Sequence, residues 1–463
     1  MRIQVEPVSI LICSIAVFLL LGLLTALPIL VVLFLISVVA AASSAKCPEL
    51  GISIWMLFLP FEQLLTEALG FGPFSLVSPA VVAGLGVHVM VLKKDLDLEI
   101  VVWLLGILSW FALSGVFTYP DLRQFMTYAV MFLLILTSFA ALKRRPDAFR
   151  VICVGFFATG VIGLTYAVWT WDGVWRLNID GNARVLSNVG GGLVLIGLAA
   201  WVTRYDSEGA FDVWHGRMTP RWIFLYLLLG LVLIVGPVSR GALMAVVFGA
   251  GGITMIALFS GVKLWSKLKM LSPALVMAVL AIIVISWFDR VVSRGQLARR
   301  IGAALEEPGG NLRWEIWMSA LGGLEGVRWL TGVGLGRFRD FALDDYYAHS
   351  VYIDALVTAG VPGFVLVFCT VLAIGVVSAR VNKYVAVGAL VFVVVGFALH
   401  GSMSTKWYWF YAILFWTLCW ARRRATGPKV FRSKALVGLS RKNSARVGTL
   451  AQGDTLIADR SAR

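Results

Sequence analysis

The chain has 463 residues, of which 60% are hydrophobic, and its formal net charge is +15. Soluble domains are about 45–50% apolar, whereas here long apolar runs recur throughout and the mean hydropathy is +0.88. The composition therefore excludes a soluble globular enzyme and predicts an all-α polytopic membrane protein. The basic residues concentrate in short loops and in the C-terminal tail, which is the pattern of topology control and not of nucleic-acid binding.

The N-terminal apolar run is too long for a signal peptide and lacks a clear cleavage site, so we expect a retained membrane segment. At about 20 residues per crossing, fourteen apolar windows predict about 12–14 transmembrane helices. The first two could be one long helix kinked at Pro28. The windows lie near 8–24, 26–42, 51–69, 77–92, 99–118, 122–142, 149–170, 188–203, 221–236, 239–260, 269–288, 356–379, 383–400 and 405–421.

Basic residues fall in alternate loops, and the positive-inside rule assigns those loops to the cytoplasm. They are Lys93 and Lys94, Lys143 to Arg145, Arg204 to Arg221, Lys263 to Lys269, Arg380 to Lys383 and Arg422 to Arg424. Both termini are then inside and the long 289–355 loop is outside. We therefore predict an N-terminal transmembrane bundle over 1–288, an outer catalytic loop over 289–355, C-terminal transmembrane helices over 356–421 and a basic, disordered cytoplasmic tail over 422–463 that lies on anionic lipid.

The 289–355 loop has its own pattern. Apolar residues three or four apart follow Asn311, which predicts an amphipathic helix capped by Asn311 at the outer interface. His349, followed by a GVPG sequence, predicts a short helix that ends just before a membrane span. The GVGLGRF segment does not follow a strand, so it predicts a tight turn or close packing against helices and not a dinucleotide site.

Ser239 and Arg240 follow Pro237 at the outer start of a span, where backbone N–H groups and a guanidinium form an anion site. The alternative is an arginine that snorkels to the interface. Arg313 opens the amphipathic helix on the same side, and the two arginines could clamp a phosphate. Arg184 and Arg123 are further outer-side candidates. Gly190, Gly191 and Gly192 follow Asn188 and allow close helix approach, with room for a lipid chain.

His349 is predicted to begin a helix in the outer loop, and a helix start favours a neutral ring that can accept a proton. The alternatives are a capping or hydrogen-bonding histidine, or a metal ligand together with Asp344 and Asp345. That spacing matches no strong metal motif. The five cysteines show no CxxC spacing, so neither a disulfide framework nor a zinc site is indicated.

Four motifs occur in order outside the predicted bundle: SRGA at 239–242, NLRWEIW at 311–317, GVGLGRF at 332–338 and AHSVYIDALVTAGVPG at 348–363. With these motifs in this order, the chain resembles the O-antigen ligase and O-antigen polymerase superfamily. The resemblance extends from about Asn188 to Lys406. The resemblance implies a GT-C-like fold whose active site faces the periplasm from the bacterial inner membrane. It also implies an undecaprenyl-diphosphate-linked glycan donor, a glycan or lipid A core acceptor, and inverting transfer without a metal or cofactor.

By motif match, Arg240 and Arg313 take the place of the diphosphate-binding arginines of that superfamily, and His349 takes that of its essential histidine. Ser350 stands where the superfamily often has asparagine. The sequence leaves a glycan ligase and a repeat-unit polymerase open, because the same chemistry serves both. A transporter is the alternative from another class, but its polar residues would gather at the midplane, whereas here they gather at the outer face.

Overall fold

The computed structural model describes residues 29–61, 74–92, 98–116, 122–171, 183–206, 212–214, 218–237, 239–291, 295, 312–334, 337–343, 348–398 and 406–421. Within these residues the regular structure is entirely helical. The helices are α1 Ile29–Lys46, α2 Pro48–Phe58, α3 Phe74–Val91, α4 Leu98–Val116, α5 Leu122–Leu142, α6 Ala148–Trp169, α7 Ala183–Thr203, α8 Pro220–Val235, α9 Arg240–Leu258, α10 Leu264–Val291, α11 Leu312–Gly322, α12 Arg328–Thr331, α13 Val351–Ala379, α14 Lys383–Ala398 and α15 Lys406–Ala421. Short 3₁₀ turns span Leu59–Phe61 and Arg337–Asp340.

Each predicted apolar window from 26–42 onward overlaps a helix. The first window, residues 62–69 of the 51–69 window and the basic tail lie outside the described residues. The described part of α1 begins at Ile29, and Pro28 lies outside the described residues. Five of the described helices, within α6, α7, α9, α10 and α13, are long and apolar enough to cross a membrane, and shorter apolar helices accompany them. The chain is therefore a multi-pass membrane protein, and the count of 12–14 crossings stays a prediction.

Helix α15 is the buried centre of the bundle. Every residue from 407 to 415 is buried, and the rings of this stretch contact Phe132, Phe156, Phe392 and Phe397 from three other helices. A helix that is apolar on all sides needs surrounding helices, and the sequence KWYWFYAILFW meets that condition. The core therefore lies around α15, and α5, α6 and α14 pack against it.

The glycines of α7 serve close helix packing, as predicted. A Cβ placed on Gly190 would lie 2.7 Å from the Gly230 carbonyl oxygen of α8. At Gly192 the neighbours are the Phe156 ring and the Tyr411 hydroxyl, the latter 2.7 Å from a Cβ placed there. Aromatic side chains thus occupy the space beside Gly192, and the predicted room for a lipid chain does not exist at that position.

The basic loops meet at one end of the bundle. Arg145 forms an ion pair of 3.0 Å with Glu49 and a hydrogen bond of 3.2 Å with His88, which joins the ends of α2, α3 and α5. Lys383 pairs with Asp206 at 2.9 Å and so joins the loops after α7 and α13. Loops that the charge pattern assigns to the same side therefore contact one another, which supports the predicted alternation.

Labelling in intact cells tests which end faces out. A cysteine introduced at Asp345 should react with a membrane-impermeant maleimide, because the predicted topology places it outside, whereas a cysteine at Lys143 should react only after permeabilisation. The native cysteines provide the background, measured on the unmodified chain. The opposite pattern would invert the topology and remove the basis for an outer active site.

Candidate functional site

Helix α13 is broken at Gly360, whose φ of 67° and ψ of −173° are not helical. The ring of Tyr352 lies 6.4 Å from that of Phe364 and 5.6 Å from that of Phe368. In a straight helix, residues 352 and 368 would be about 24 Å apart. The stretch 351–359, called the site helix from here on, is therefore a separate short helix that bends back toward the membrane segment 361–379. The short helix predicted before the GVPG sequence is confirmed.

The break leaves the carbonyls of residues 357–359 without their helical donors, and other parts of the chain supply replacements. The backbone N–H groups of Val333 and Gly334 donate to Val357 and Thr358 at 2.8 and 3.0 Å. The Trp110 indole donates to Ala359 at 2.8 Å. Val333 and Gly334, at the start of the GVGLG sequence, thus form a backbone brace for the break, in agreement with the predicted close packing against helices. Buried carbonyls need such partners, since an unsatisfied one costs roughly 1–3 kcal/mol.

The site helix lies between two apolar layers. One face packs into the bundle core and consists of Val351, Tyr352, Ala355 and Ala359. The other face packs against residues of the 289–355 loop. Together they form a second cluster that contains Ile316, Ala320, Leu324, Val333, Phe338, Ala348 and Val357. The predicted amphipathic helix is α11, and its buried face covers the site helix. Asn311, the predicted cap of α11, lies outside the described residues.

His349 occupies a constrained position just ahead of the site helix. Its φ of 51° lies in the left-handed region, which costs a non-glycine residue about 1–3 kcal/mol and is common at functional sites. The Trp317 indole N–H donates a hydrogen bond of 2.6 Å to the carbonyl of Ala348, the residue before His349. The following Ser350 side chain accepts the Ile353 N–H at 3.3 Å. The helix begins at Val351 with Ser350 as its N-cap, so the prediction that His349 itself begins the helix is corrected by two residues.

The supporting role predicted for Ser350 is therefore that of a buried cap. We expect Ser350→Ala to lower the free energy of unfolding by about 1 kcal/mol, because the Ile353 N–H loses its acceptor. Ser350→Asn should retain the stability, since asparagine caps equally well. Thermal denaturation in one detergent would compare the three proteins. Equal melting of the alanine variant and the parent would show that the cap contributes nothing.

Arg313 lies on the face of α11 that packs against the site. It precedes Trp317 by four residues, so the two side chains are neighbours on one helix face, with Cβ atoms about 6 Å apart. Trp317 contacts Ala348, and Ala348 precedes His349. Arg313 is half-buried at this place. Arg313 therefore lies one helical turn from the tryptophan that fixes the residue before His349.

The start of α9 is the second cationic element. The helix begins at Arg240, and Ser239 occupies the N-cap position in an extended conformation without a side-chain cap bond. This agrees with the predicted helix start. A Cβ on Gly396 of α14 would lie 3.3 Å from that of Ala245 in α9, while the Tyr352 hydroxyl donates to Val393 of α14 at 3.3 Å. The N-terminal parts of α9 and of the site helix therefore both pack against the C-terminal half of α14, which lies between them.

The other predicted residues either have contacts of their own or lie outside the described residues. Asn188 is buried in α7, and its carbonyl accepts the Tyr411 hydroxyl at 3.5 Å. Asp340 forms an exposed ion pair with Arg337 at 2.6 Å. The side chains of Arg123, Arg184 and Arg240 lie outside the described residues, as do Asp344 and Asp345, with which His349 would share a metal in the alternative interpretation.

Sequence reasoning missed two residues. Trp317 was counted only as an apolar position of α11, although its indole fixes Ala348. Asp354 is 5% exposed in the first turn of the site helix and interacts electrostatically with Tyr128 of α5. The signal for Asp354 was present, because a carboxylate in an otherwise apolar stretch beside a membrane span is a functional candidate.

The stretch 225–368 matches the family described as O-antigen ligase. It begins within α8 and ends in α13, so it contains α9, α11, the glycine brace and the site helix. The predicted resemblance to the O-antigen ligase and polymerase superfamily is thus confirmed over this stretch, and it supports a glycan-transferring function in general. No curated protein matches the chain.

Proposed function

We propose that this protein transfers a glycan from undecaprenyl diphosphate to an acceptor hydroxyl at the periplasmic face of the bacterial inner membrane. The observation that carries the proposal is His349, which sits in a strained conformation with its neighbours fixed on both sides by Trp317 and by the Ser350 cap. Such a position is retained where the surrounding structure over-determines it, and it lies within the stretch that matches the O-antigen ligase family.

The chemistry needs a base and a cationic site. His349 takes the proton of the acceptor hydroxyl as its oxygen forms a bond to the anomeric carbon of the donor sugar. The bond from that carbon to the diphosphate oxygen breaks, and the diphosphate leaves with the electron pair. Arg240 and Arg313 stabilise the charge that develops on it. A single displacement inverts the anomeric configuration, and two guanidinium groups take the role that a metal ion would have.

Arg240 can be tested on donor binding. We expect Arg240→Ala to lose affinity for the lipid diphosphate, and Arg240→Lys to recover only part of it, because a planar guanidinium grips two oxygens and an ammonium does not. Arg339→Ala is the matched control, since Arg339 is an exposed arginine of the outer loop. Donor binding by the purified variants in detergent is the measurement. Unchanged affinity in Arg240→Ala would make Arg240 a snorkelling residue.

The acceptor distinguishes two enzymes of the same superfamily. A ligase would join the glycan to lipid A core or a similar acceptor, and this is the activity we propose. A polymerase would join one lipid-linked repeat to another. Purified protein given a synthetic lipid-linked oligosaccharide, with the two acceptors supplied one at a time, separates them. Product on lipid A core alone supports the ligase, longer chains on the carrier support the polymerase, and no transfer to either contradicts the proposal.

A further inference from the structure

Helix α12 presents an unusual surface for a segment of the polar outer loop. Val327, Trp329 and Leu330 are 68%, 44% and 57% exposed, and we call these three side chains the α12 patch. Isolated apolar residues at a surface are ordinary, but these three are consecutive apart from Arg328. The patch therefore calls for an apolar partner.

The backbone of α12 sits directly on the break in α13. A Cβ placed on Gly360 would overlap the backbone of Leu330 and lie 2.8 Å from the Trp329 carbonyl oxygen. The next residue along the chain, Val361, is 42% exposed and is followed one turn later by Val365 at 43%. The α12 patch is thus continuous with the outward-facing surface of the membrane segment.

That outward surface identifies the partner. Its exposed residues recur at helical spacing down the membrane segment and are apolar: Val361, Val365, Ala373, Val376 and Val377. In a multi-pass membrane protein such a stripe faces lipid acyl chains. A patch that extends the stripe by a few residues, and that contains a tryptophan, has the composition of the membrane–water interface.

Arg328 fits the same geometry. Its guanidinium lies 5.4 Å from the Phe341 ring centroid and donates to the Gly323 carbonyl at 3.4 Å. Both partners belong to the outer loop. The cation is therefore directed toward the loop while its neighbours are apolar and exposed, as in a short interfacial helix whose charge snorkels toward water.

We propose that α12 docks into the outer leaflet of the bilayer and that the α12 patch contacts phospholipid directly. Because the backbone of α12 packs against Gly360, the lipid contact of α12 sets how deep the break in α13 and the site helix lie relative to the lipid headgroups. That consequence rests on the proposed function, since the diphosphate of the donor lies at the headgroup level. The lipid contact itself does not depend on it.

Site-specific photocrosslinking tests the contact. Benzoylphenylalanine replaces Val327 or Leu330 in the full chain, and in separate controls it replaces the exposed Glu325 or Arg339 of the same loop. The proteins are reconstituted in liposomes of one defined phospholipid, irradiated and analysed by intact mass. We expect phospholipid adducts at Val327 and Leu330, with yields several-fold above those at the two controls. Size-exclusion profiles and melting temperatures show that each variant is folded.

The other outcomes overturn the proposal. Yields at Val327 and Leu330 equal to those at Glu325 and Arg339 would place the patch in water. Covalent dimers in place of lipid adducts would make the patch an interface between copies of the chain. Position 327 is the most exposed of the three, so it decides the matter if the substitution at Leu330 does not fold. Normal lipid adducts at Val327 and Leu330, together with no transfer by the unsubstituted protein, would count against the proposed function alone.

Discussion

His349→Asn should lower the rate of glycan transfer by about 10²–10⁴-fold, the usual contribution of a general base. Asparagine tolerates the left-handed conformation that His349 adopts, so the backbone on either side should keep its contacts with Trp317 and Ser350. Donor binding and the melting temperature should therefore remain those of the parent. Transfer rate, donor retention and thermal denaturation are measured on one purified sample.

His349→Gly is the matched control for strain. Glycine adopts positive φ without cost, so this variant should melt at or slightly above the temperature of the parent and still fail to transfer. If either variant transferred at a near-normal rate per folded molecule, His349 would be structural. The base would then have to be sought among Asp340, Asp344 and Asp345, with Asp354 added by the structure.

Gly360→Ala should have the second-largest effect. Gly360 has a φ and ψ that only glycine readily adopts, so a side chain there costs on the order of 1–3 kcal/mol. Its Cβ would also overlap the Leu330 carbonyl, a backbone group that cannot rotate away. Either α12 or the site helix must move, and the bonds from Val333 and Gly334 to the site helix would be lost. We expect a clear fall in melting temperature together with loss of transfer.

Gly251→Ala is the control for the same chemical change. Gly251 lies in α9, and a Cβ placed there meets nothing within 4 Å. Alanine should leave the melting temperature unchanged or raise it, because it favours the helix by up to about 1 kcal/mol. Parent-like transfer and stability in Gly360→Ala would show that the break in α13 can be occupied without moving the site.

The sequence predicted the helices well because a membrane helix is apolar whether it faces lipid or the core. The length of each apolar run and the charged residues beside it then indicate where the helix ends. It also predicted the start of α9 at Arg240 and the break at the GVPG sequence, because proline and glycine alter the backbone at their own positions. Those features depend on a few adjacent residues. They could therefore be inferred without knowledge of the tertiary contacts.

The rest of the site depends on contacts between distant parts of the chain. Trp110 and Ala359 are 249 positions apart, and no local pattern indicates that an indole would satisfy that carbonyl. The bend of the site helix toward Phe368 and the strained backbone of His349 have the same origin. The exposure of Val327 and Leu330 could not be predicted either, because a short apolar segment in a loop is ordinarily buried.

The account is tested most directly by following both products of one reaction. Purified protein in liposomes receives a synthetic undecaprenyl-diphosphate-linked oligosaccharide and lipid A core, with a chelator present, and released carrier diphosphate and extended acceptor are quantified together. We predict equal amounts of the two products from the parent and neither from His349→Asn, although that variant still binds the donor. Extension of the acceptor by His349→Asn at the parental rate, or uptake of intact donor without bond cleavage, would contradict the account.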